Sequence, residues 1–148
     1  MKEASLSIVE DKIKHRFLMI RHHRGINKGF VNFPGGKKEP GEEMTDCVKR
    51  ETKEETGITI FDPKFVGYME FPTMDFVVYV YYSTKFEGQI HEKKDEVDVF
   101  WQDSAHIPLD QMREADKDFL PAILKGETVK KRYFYNANGG IDKIEEIA

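Results

Sequence analysis

The stretch GGKKEPGEEMTDCVKRETKEETGI, residues 35–58, decides the fold of this chain. Its first part contains Gly-Gly and Pro-Gly steps, which are typical of turns and which we expect not to continue a strand. The remainder has helical spacing from about Glu43 to Thr56 and ends at Gly57, the residue type that most often follows a helix in the left-handed conformation. We therefore predict a loop that leads into a helix.

Carboxylates on this helix continue its apolar stripe. At about 100° per residue, Cys47 and Val48 lie at about 300° and 40° from Met44. The three glutamates that fall in the same sector, at about 340°, 280° and 20°, are Glu51, Glu54 and Glu55. We therefore expect the core face of the helix to become acidic over its last two turns.

Neighbouring carboxylates on a buried face repel one another, and burial of an isolated carboxylate favours its protonated form. A hard divalent cation such as Mg²⁺ resolves this conflict, because it accepts oxygen ligands and offsets their charge. The alternative is a solvated acidic helix end, with Arg50 and Glu54 forming an i,i+4 ion pair. On the helix alone the two interpretations have similar weight.

The preceding loop completes a longer pattern. Gly36, five residues, Glu42, seven residues and then RETKEETGI (50–58) resemble the Nudix box, GX5EX7REUXEEXGU, where U is a bulky aliphatic residue. Every fixed position matches, and Thr52 departs only at the first U position. The resemblance implies the Nudix fold, a mixed β-sheet between α-helices, and hydrolysis of a nucleoside diphosphate linked to another group.

The resemblance also implies a role for each matching residue. Arg50 is expected to hold a box glutamate in place as part of the catalytic machinery, and Glu42 to support the loop. Glu96 matches a glutamate from a loop after the box that some members use as the general base. It is also a candidate metal ligand from outside the box. The implied ligands of Mg²⁺ or Mn²⁺ in the box are the Gly35 carbonyl, Glu51, Glu54 and Glu55.

The residues before the box resemble a narrower group. RGINKGFVNFPGGK (24–37) is similar to the loop of MutT-like enzymes that hydrolyse oxidised purine nucleoside triphosphates, in which an asparagine binds the base; Asn32 matches it. An amide both donates and accepts hydrogen bonds, which suits a purine, but a turn role for Asn32 has equal weight. Ile26 is a candidate apolar wall of the pocket. Arg21 is a candidate phosphate contact, with a solvated strand end as the alternative.

A second segment, HIPLDQMREADKDFLPAIL (106–124), is similar to the part of that group which places a tryptophan and two acids on the base. Asp116 aligns with the second acid. Arg113 occupies the tryptophan position, and Ala115 replaces the first acid. We therefore predict a base pocket whose acidic member is Asp116.

The remaining chain indicates a mixed α/β protein. Strands and helices are both predicted but do not alternate regularly, so a mixed sheet flanked by helices fits better than a doubly wound parallel sheet. A second helix is predicted within residues 109–124, and the Asn-Gly step within NANGG (136–140) indicates a hairpin. The predicted strands lie at 6–10, 16–22, 58–71 with a break at Asp-Pro, 76–82, 96–101, 130–136 and 141–147.

Composition excludes several classes of protein. The 148 residues, 39% hydrophobic and 34% charged, are typical of one globular domain, and we predict a single Nudix domain over residues 1–148. A net charge of −4 argues against nucleic acid as a partner. Cys47 is the only cysteine, which excludes an internal disulfide. No apolar run is long enough to cross a bilayer and no signal peptide is recognisable, so we expect a cytoplasmic location. For the oligomeric state, the expectation is a monomer or a homodimer.

Together these observations favour an Mg²⁺-dependent pyrophosphohydrolase of a nucleoside triphosphate, with 8-oxo-dGTP as a candidate. Other nucleoside diphosphate derivatives remain as alternatives, namely ADP-ribose, a dinucleoside polyphosphate or an RNA 5′ end. A non-catalytic module that senses a nucleotide is the alternative from a different class. Such a module would be expected to lose box glutamates, and this box is complete.

Overall fold

The computed structural model describes residues 1–91 and 97–148. Short 3-10 turns lie at Pro72–Met74, Ser104–His106 and Leu109–Gln111. The helices are α1 (Met44–Thr56) and α2 (Glu114–Leu124). The strands are β1 (Lys2–Asp11), β2 (Arg16–His22), β3 (Val31–Asn32), β4 (Gly35–Lys37), β5 (Thr59–Phe61), β6 (Lys64–Phe71), β7 (Phe76–Ser83), β8 (Lys85–Glu87), β9 (Val97–Asp103), β10 (Val129–Tyr135) and β11 (Ile141–Glu146).

The main sheet is mixed, as predicted. Its order is β11-β10-β6-β7-β1-β2-β3, with β4 also paired to β1 and β9 to β2. The β1–β7 and β6–β10 pairs are parallel, and the other pairs of this sheet are antiparallel. Strands β5 and β8 form a separate antiparallel pair. The hairpin predicted across NANGG is the β10–β11 pair.

Strand β1 has two partners along one edge. Residues 4–6 pair with β4, whereas residues 10–11 pair with residues 16–17 of β2. Strand β2 therefore separates from the first half of β1, and β4 takes its place there. Strand β3, which pairs with β2, and β4 line the fork that results. A cavity lies in this fork.

The Gly-Gly step forms a strand, so the prediction that it could not continue one is wrong. Gly35–Lys37 is β4, and the absence of a side chain at Gly35 lets its backbone lie against the Ser5 carbonyl, where a Cβ atom would overlap the oxygen. The turn prediction is confirmed at the Pro-Gly step that follows, where Gly41 has a φ of 79°. Glycine at position 35 thus permits a close strand contact instead of a bend.

The two helices lie on opposite faces of the sheet. Successive residues of a strand point to opposite faces, and in β1 Leu6 and Ile8 join the core that contains Phe119 and Leu120 of α2. Val9 joins the second core, which contains Val48 of α1. A mixed sheet between two helices is therefore confirmed. Neither helix within residues 1–91 and 97–148 is long and apolar enough to cross a membrane.

Helix α1 begins and ends where the sequence predicts, and Gly57 after it has φ 90°. Its core stripe, however, does not become acidic: the buried residues continue from Val48 to Thr52 and Thr56, at intervals of four. The Thr52 hydroxyl donates to the Val48 carbonyl at 2.6 Å, which satisfies it inside the core. The glutamates lie along the rim of this stripe, and the Glu54 side chain is 56% exposed. The expectation of carboxylates on the core face itself was wrong.

Candidate active site

Arg50 joins the start of the box to its helix. Its Nε and Nη2 atoms donate to the two carboxylate oxygens of Glu42 at 2.7 and 3.0 Å, a bidentate contact. Nη2 also donates to the Lys37 carbonyl at 3.1 Å. The Glu42 carboxylate in turn accepts from the Glu39 backbone N–H at 3.0 Å. One side chain thus fixes the loop between β4 and α1 onto the helix.

The remaining nitrogen of the guanidinium, Nη1, contacts carboxylates on α1 itself. It donates to Glu51 at 2.7 Å and to Glu54 at 3.1 Å, and it lies 3.6 Å from the Glu39 carboxylate. Hydrogen bonds from Arg50, followed by the Glu39 N–H, lower the pKa of Glu42 to about 2. The same contact with Glu42, followed by that with Glu51, raises the pKa of Arg50. Four carboxylates share this single guanidinium, so the cluster retains an excess of negative charge.

The glycine pair closes the cluster from the side of the sheet. The Gly35 N–H donates to Glu55 Oε1 at 3.1 Å. The Glu51 carboxylate lies against Gly36, in the volume that a Cβ atom on that residue would occupy. Glycine at position 36 thus leaves room for the Glu51 carboxylate beside β4.

The donor chemistry of the cluster fits a hard divalent cation. Glu51, Glu54, Glu55 and the Gly35 carbonyl offer only oxygen, which is what Mg²⁺ and Mn²⁺ prefer, and the excess negative charge favours a cation. In the part of the chain that the structure describes, no three His, Cys, Asp or Glu side chains already converge as metal ligands. Glu51 and Glu54 are instead directed to Arg50, and Glu55 to the Gly35 amide.

A cavity of about 440 Å³ lies in the fork between β2 and β4. Its volume is within the usual range for small-molecule sites. Apolar walls come from residues that include Leu6, Ile20, Phe33, Met69, Phe71 and Val78. Polar side chains that line it include His22, Asn27, Asn32, Arg113, Asp116 and Tyr135. The predicted pocket residues Asn32, Asp116 and Ile26 all line this one cavity.

Asn32 is held in one orientation by its own backbone. Its Oδ1 accepts from the Phe33 N–H at 2.7 Å, while Nδ2 has no hydrogen-bond partner among the described residues. The amide nitrogen is therefore available to donate to a ligand.

Asp116 is the buried acid of the cavity, with 8% exposure. Burial raises the pKa of Asp116 to about 7, although hydrogen bonding to the Arg113 backbone and the charge of Arg113 act in the opposite direction. The carboxyl group is therefore close to half protonated at neutral pH, where it is able both to donate and to accept a hydrogen bond.

The loop between β2 and β3 lies at the cavity and is braced by two arginines. Arg113 donates from Nη2 to the Ile26 carbonyl at 2.5 Å and from Nε to Asn27 Oδ1 at 3.1 Å. Arg21 donates to the Gly29 carbonyl at 3.2 Å and to Gln111 at 2.6 Å, and the described lining of the cavity does not include it. Ile26 lines the cavity but remains 78% exposed.

The cavity and the glutamate cluster meet at Gly35. This residue lines the cavity and also donates its N–H to Glu55. Ser5, which pairs with Gly36 across the β1–β4 ladder, lines the cavity as well. A ligand held in the cavity therefore has the acidic cluster beside it. Glu96, the predicted general base, lies outside the described residues.

Sequence reasoning missed two residues that the cavity brings together. Asn27 lies in the β2–β3 loop and Tyr135 at the end of β10, and no motif connects them. Strand alternation offered one signal, since Tyr133 and Tyr135 share the inward face of β10. The Tyr135 hydroxyl accepts from the Ala115 N–H at 2.8 Å, which attaches β10 to the start of α2.

Comparisons with known proteins agree with this arrangement. The chain is 32% identical over 138 residues to the oxidized purine nucleoside triphosphate hydrolase of Danio rerio, covering 88% of this chain and 84% of that protein. It is 31% identical over 107 residues to an uncharacterized Nudix hydrolase of Bacillus subtilis, covering 68% of each. The fold matches a MutT protein from Bacillus halodurans with a TM-score of 0.82 at 24% identity, covering 98% of this chain and 97% of that one.

Residues 2–123 match the model of the NUDIX domain family, a range that contains the box, the glutamate cluster and almost all of α2. With more than two thirds of the chain matched to that model and relatives above 30% identity, this chain belongs to the NUDIX domain family and is a Nudix hydrolase.

Proposed function

We propose that this enzyme cleaves a nucleoside triphosphate to the nucleoside monophosphate and pyrophosphate. The observation that carries the proposal is the position of Gly35, which lines the cavity and also binds Glu55. A base in the cavity would direct its phosphates toward the acidic cluster. The Danio rerio relative, whose name describes a hydrolase of oxidized purine nucleoside triphosphates, supports the same substrate class.

Mg²⁺ or Mn²⁺ bound at Glu51, Glu54, Glu55 and the Gly35 carbonyl would supply charge neutralisation for the phosphates and activation of water. Arg50 holds Glu51 and Glu54 on one side of the helix, which fixes two of these carboxylates beside each other. The bidentate contact of Arg50 with Glu42 keeps the loop, and with it Gly35 and Gly36, against α1.

Asn32 and Asp116 recognise the base in this proposal. Asn32 offers its amide nitrogen, and Asp116 changes between donor and acceptor near neutral pH. Together they would distinguish an oxidised guanine from guanine by its altered N7 and C8 edge, so 8-oxo-dGTP is the first substrate to test. Ile26 would contribute an apolar wall. Arg21 is proposed to contact the phosphates. To do so it must give up its hydrogen bonds to the Gly29 carbonyl and to Gln111.

Glu96 is proposed as the general base or a late metal ligand. Replacement by glutamine should then lower kcat by about 10²-fold or more, the usual scale for acid–base catalysis, and change nucleotide binding much less. Equal losses in binding and turnover would instead assign Glu96 to substrate positioning.

The decisive experiment is a screen of nucleotides with Mg²⁺ in which released pyrophosphate and phosphate are measured separately. We expect pyrophosphate from a purine nucleoside triphosphate and little phosphate. Cleavage of ADP-ribose, a dinucleoside polyphosphate or a capped RNA end, without activity on triphosphates, would contradict the substrate class. Tight nucleotide binding without any product would indicate a sensing module.

A further inference from the structure

Three polar side chains of the cavity, Asn32, Arg113 and Tyr135, have hydrogen-bond donors available to a ligand. Arg113 contributes a guanidinium, which carries only donors. Asn32 directs its oxygen to the Phe33 N–H and leaves its amide nitrogen for a ligand. The Tyr135 hydroxyl already accepts the Ala115 N–H, so its own proton remains to be donated. A base that enters this cavity therefore meets donors from three parts of the chain that are distant in sequence, namely Asn32, Arg113 and Tyr135.

Arg113 is the strongest of these donors. Its Nε and Nη2 atoms bind Asn27 and the Ile26 carbonyl, and its guanidinium carbon lies 4.4 Å from the centre of the Phe30 ring. These contacts fix the plane of the group. Within residues 1–91 and 97–148, its Nη1 atom has no hydrogen-bond partner and Arg113 takes part in no ion pair. The side chain thus has no ion-pair partner among the described residues, although its charge acts on the nearby Asp116, and it carries N–H groups that are not used by those contacts at the wall of an otherwise mainly apolar cavity.

We propose that Arg113 is a specificity-determining residue that selects purine nucleotides with a carbonyl oxygen where adenine has an amino group. A carbonyl accepts from the guanidinium, whereas an amino group offers a second donor to it and leaves both groups unsatisfied. The proposal rests on the proposed function, because it assumes that the cavity holds the base. It extends that function by naming the edge of the base that is recognised.

The test uses two nucleotides that differ at that edge, 2′-deoxyinosine and 2′-deoxyadenosine 5′-monophosphate. Their dissociation constants are measured by calorimetry without a divalent cation, so the result does not depend on hydrolysis. We expect the wild-type chain to bind the inosine nucleotide about 10-fold more tightly or better, the effect of one hydrogen bond to a charged donor. Arg113→Met should reduce this ratio to within about 2-fold.

Arg21→Met is the matched control. Arg21 braces the same loop through the Gly29 carbonyl, but the described lining of the cavity does not include it. Loosening of the loop would affect both variants, whereas loss of base recognition would affect only Arg113→Met. The Arg21→Met chain should therefore keep the wild-type ratio, even if both affinities fall.

The proposal is overturned if the wild-type ratio is close to one, if Arg113→Met keeps the wild-type ratio, or if Arg21→Met loses it equally. Should Arg113→Met fail to fold by circular dichroism, Arg113→Lys replaces it. Lysine keeps the charge but loses the planar fork, so we expect an intermediate ratio, and a full wild-type ratio contradicts the proposal. A wild-type preference without any triphosphate hydrolysis would refute the proposed function alone, while hydrolysis without the preference would refute this inference alone.

Discussion

The glutamate cluster and the cavity share Gly35, but the pKa of a carboxyl group shifts in opposite directions in the two regions. In the cluster, four carboxylates surround one guanidinium, and the pKa of Glu42 falls to about 2 because Arg50 and then the Glu39 N–H donate to it. In the cavity, the pKa of Asp116 rises to about 7 because it is buried, and Arg113 forms no ion pair with another described residue. The cluster has an excess of negative charge, whereas the cavity holds a buried acid and an arginine that has no ion-pair partner among the described residues.

In the proposed function, the two regions bind two different parts of a nucleotide. A surplus of carboxylates attracts the cation that a diphosphate needs for hydrolysis, whereas the donors available in the cavity suit the carbonyl oxygens of a base. Residues in the first region should therefore control turnover for all substrates. Residues in the second should control the ratio between substrates. Each prediction below separates these two effects, beginning with the largest.

The largest effect should come from the cluster. Glu54→Gln should lower turnover by about 10²-fold or more, because a proposed metal ligand loses its charge. Its melting temperature should change little, since the Glu54 side chain is 56% exposed and pairs only with Arg50 among the described residues. Steady-state kinetics at saturating nucleotide and ordinary Mg²⁺ measure the first effect.

Glu43→Gln is the control for this variant. Glu43 is exposed, and its side chain makes no hydrogen bond to the start of α1. It should retain full turnover. A Glu54→Gln chain with turnover close to that of the wild type would contradict the assignment of the metal site to this cluster.

The second effect belongs to the cavity. Asn32→Ala or Asp116→Ala should compress the ratio of kcat/KM between purine and pyrimidine triphosphates by roughly 5- to 150-fold, because a buried polar group loses its partner at a cost of about 1–3 kcal/mol. Turnover of the poorer substrate should barely change, since the cluster is intact.

Both substrates must be measured on each variant, because a folding defect lowers both rates together. The pocket assignment is wrong if both variants keep the wild-type purine preference, or if the wild-type chain has none. The function would then be that of a Nudix hydrolase with another substrate.

A smaller effect concerns stability and the burial of Asp116. Its pKa in the folded chain, about 7, lies above the ordinary value of 3.8. Below about pH 4 both states hold the proton; as the pH rises to 7 only the unfolded state releases it, so the free energy of unfolding falls. Asp116→Asn removes this dependence. A shift of this size corresponds to a change of at most about 4 kcal/mol in the free energy of unfolding between pH 4 and 7, whereas desolvation of the amide in the variant adds an offset that does not depend on pH.

Denaturant unfolding at a series of pH values measures this prediction. The advantage of Asp116→Asn over the wild-type chain should grow between pH 4 and 7 and then remain constant. A difference that does not change with pH would show that the carboxyl group is ionised in the folded chain throughout, and that the cavity is wetter than its burial indicates.

The two regions also differ in how far sequence could predict them. The cluster lies within one contiguous pattern. Helical spacing alone pairs Arg50 with Glu54, and the resemblance to the Nudix box adds a loop glycine to the same site. Helical periodicity was too coarse to separate the core stripe, which passes through Thr52 and Thr56, from its acidic rim, because neighbouring sectors differ by only a few tens of degrees.

The cavity is harder to predict because the described residues that line it come mainly from seven strands, the β2–β3 loop and the start of α2. Asn32 and Asp116 were indicated only by resemblance, and no local pattern reports that they share a space with Tyr135. From the sequence, Arg113 is recognisable only because it occupies the position where the MutT-like group has a tryptophan. Its contacts with Ile26 and Asn27 depend on where the β2–β3 loop folds, which is a tertiary property. The fork at β1 requires the close approach of Gly35 to that strand, whereas the Gly-Gly step in the sequence predicts a turn.

The smallest effect should be the acid sensitivity of the cluster. The pKa of Glu42 in the folded chain, about 2, lies below its ordinary value of 4.5, so its contact with Arg50 stabilises the fold above pH 4.5 and is lost as the pH falls toward 2. Arg50→Gln should therefore melt at a lower temperature than the wild-type chain at pH 7, and the difference should close between pH 4.5 and 2. Glu42→Gln, which is neutral at every pH, should show a weaker acid dependence than the wild-type chain over the same interval. A deficit in Arg50→Gln that is as large at pH 3 as at pH 7 would mean that Arg50 stabilises the loop mainly through the Lys37 carbonyl, which does not titrate.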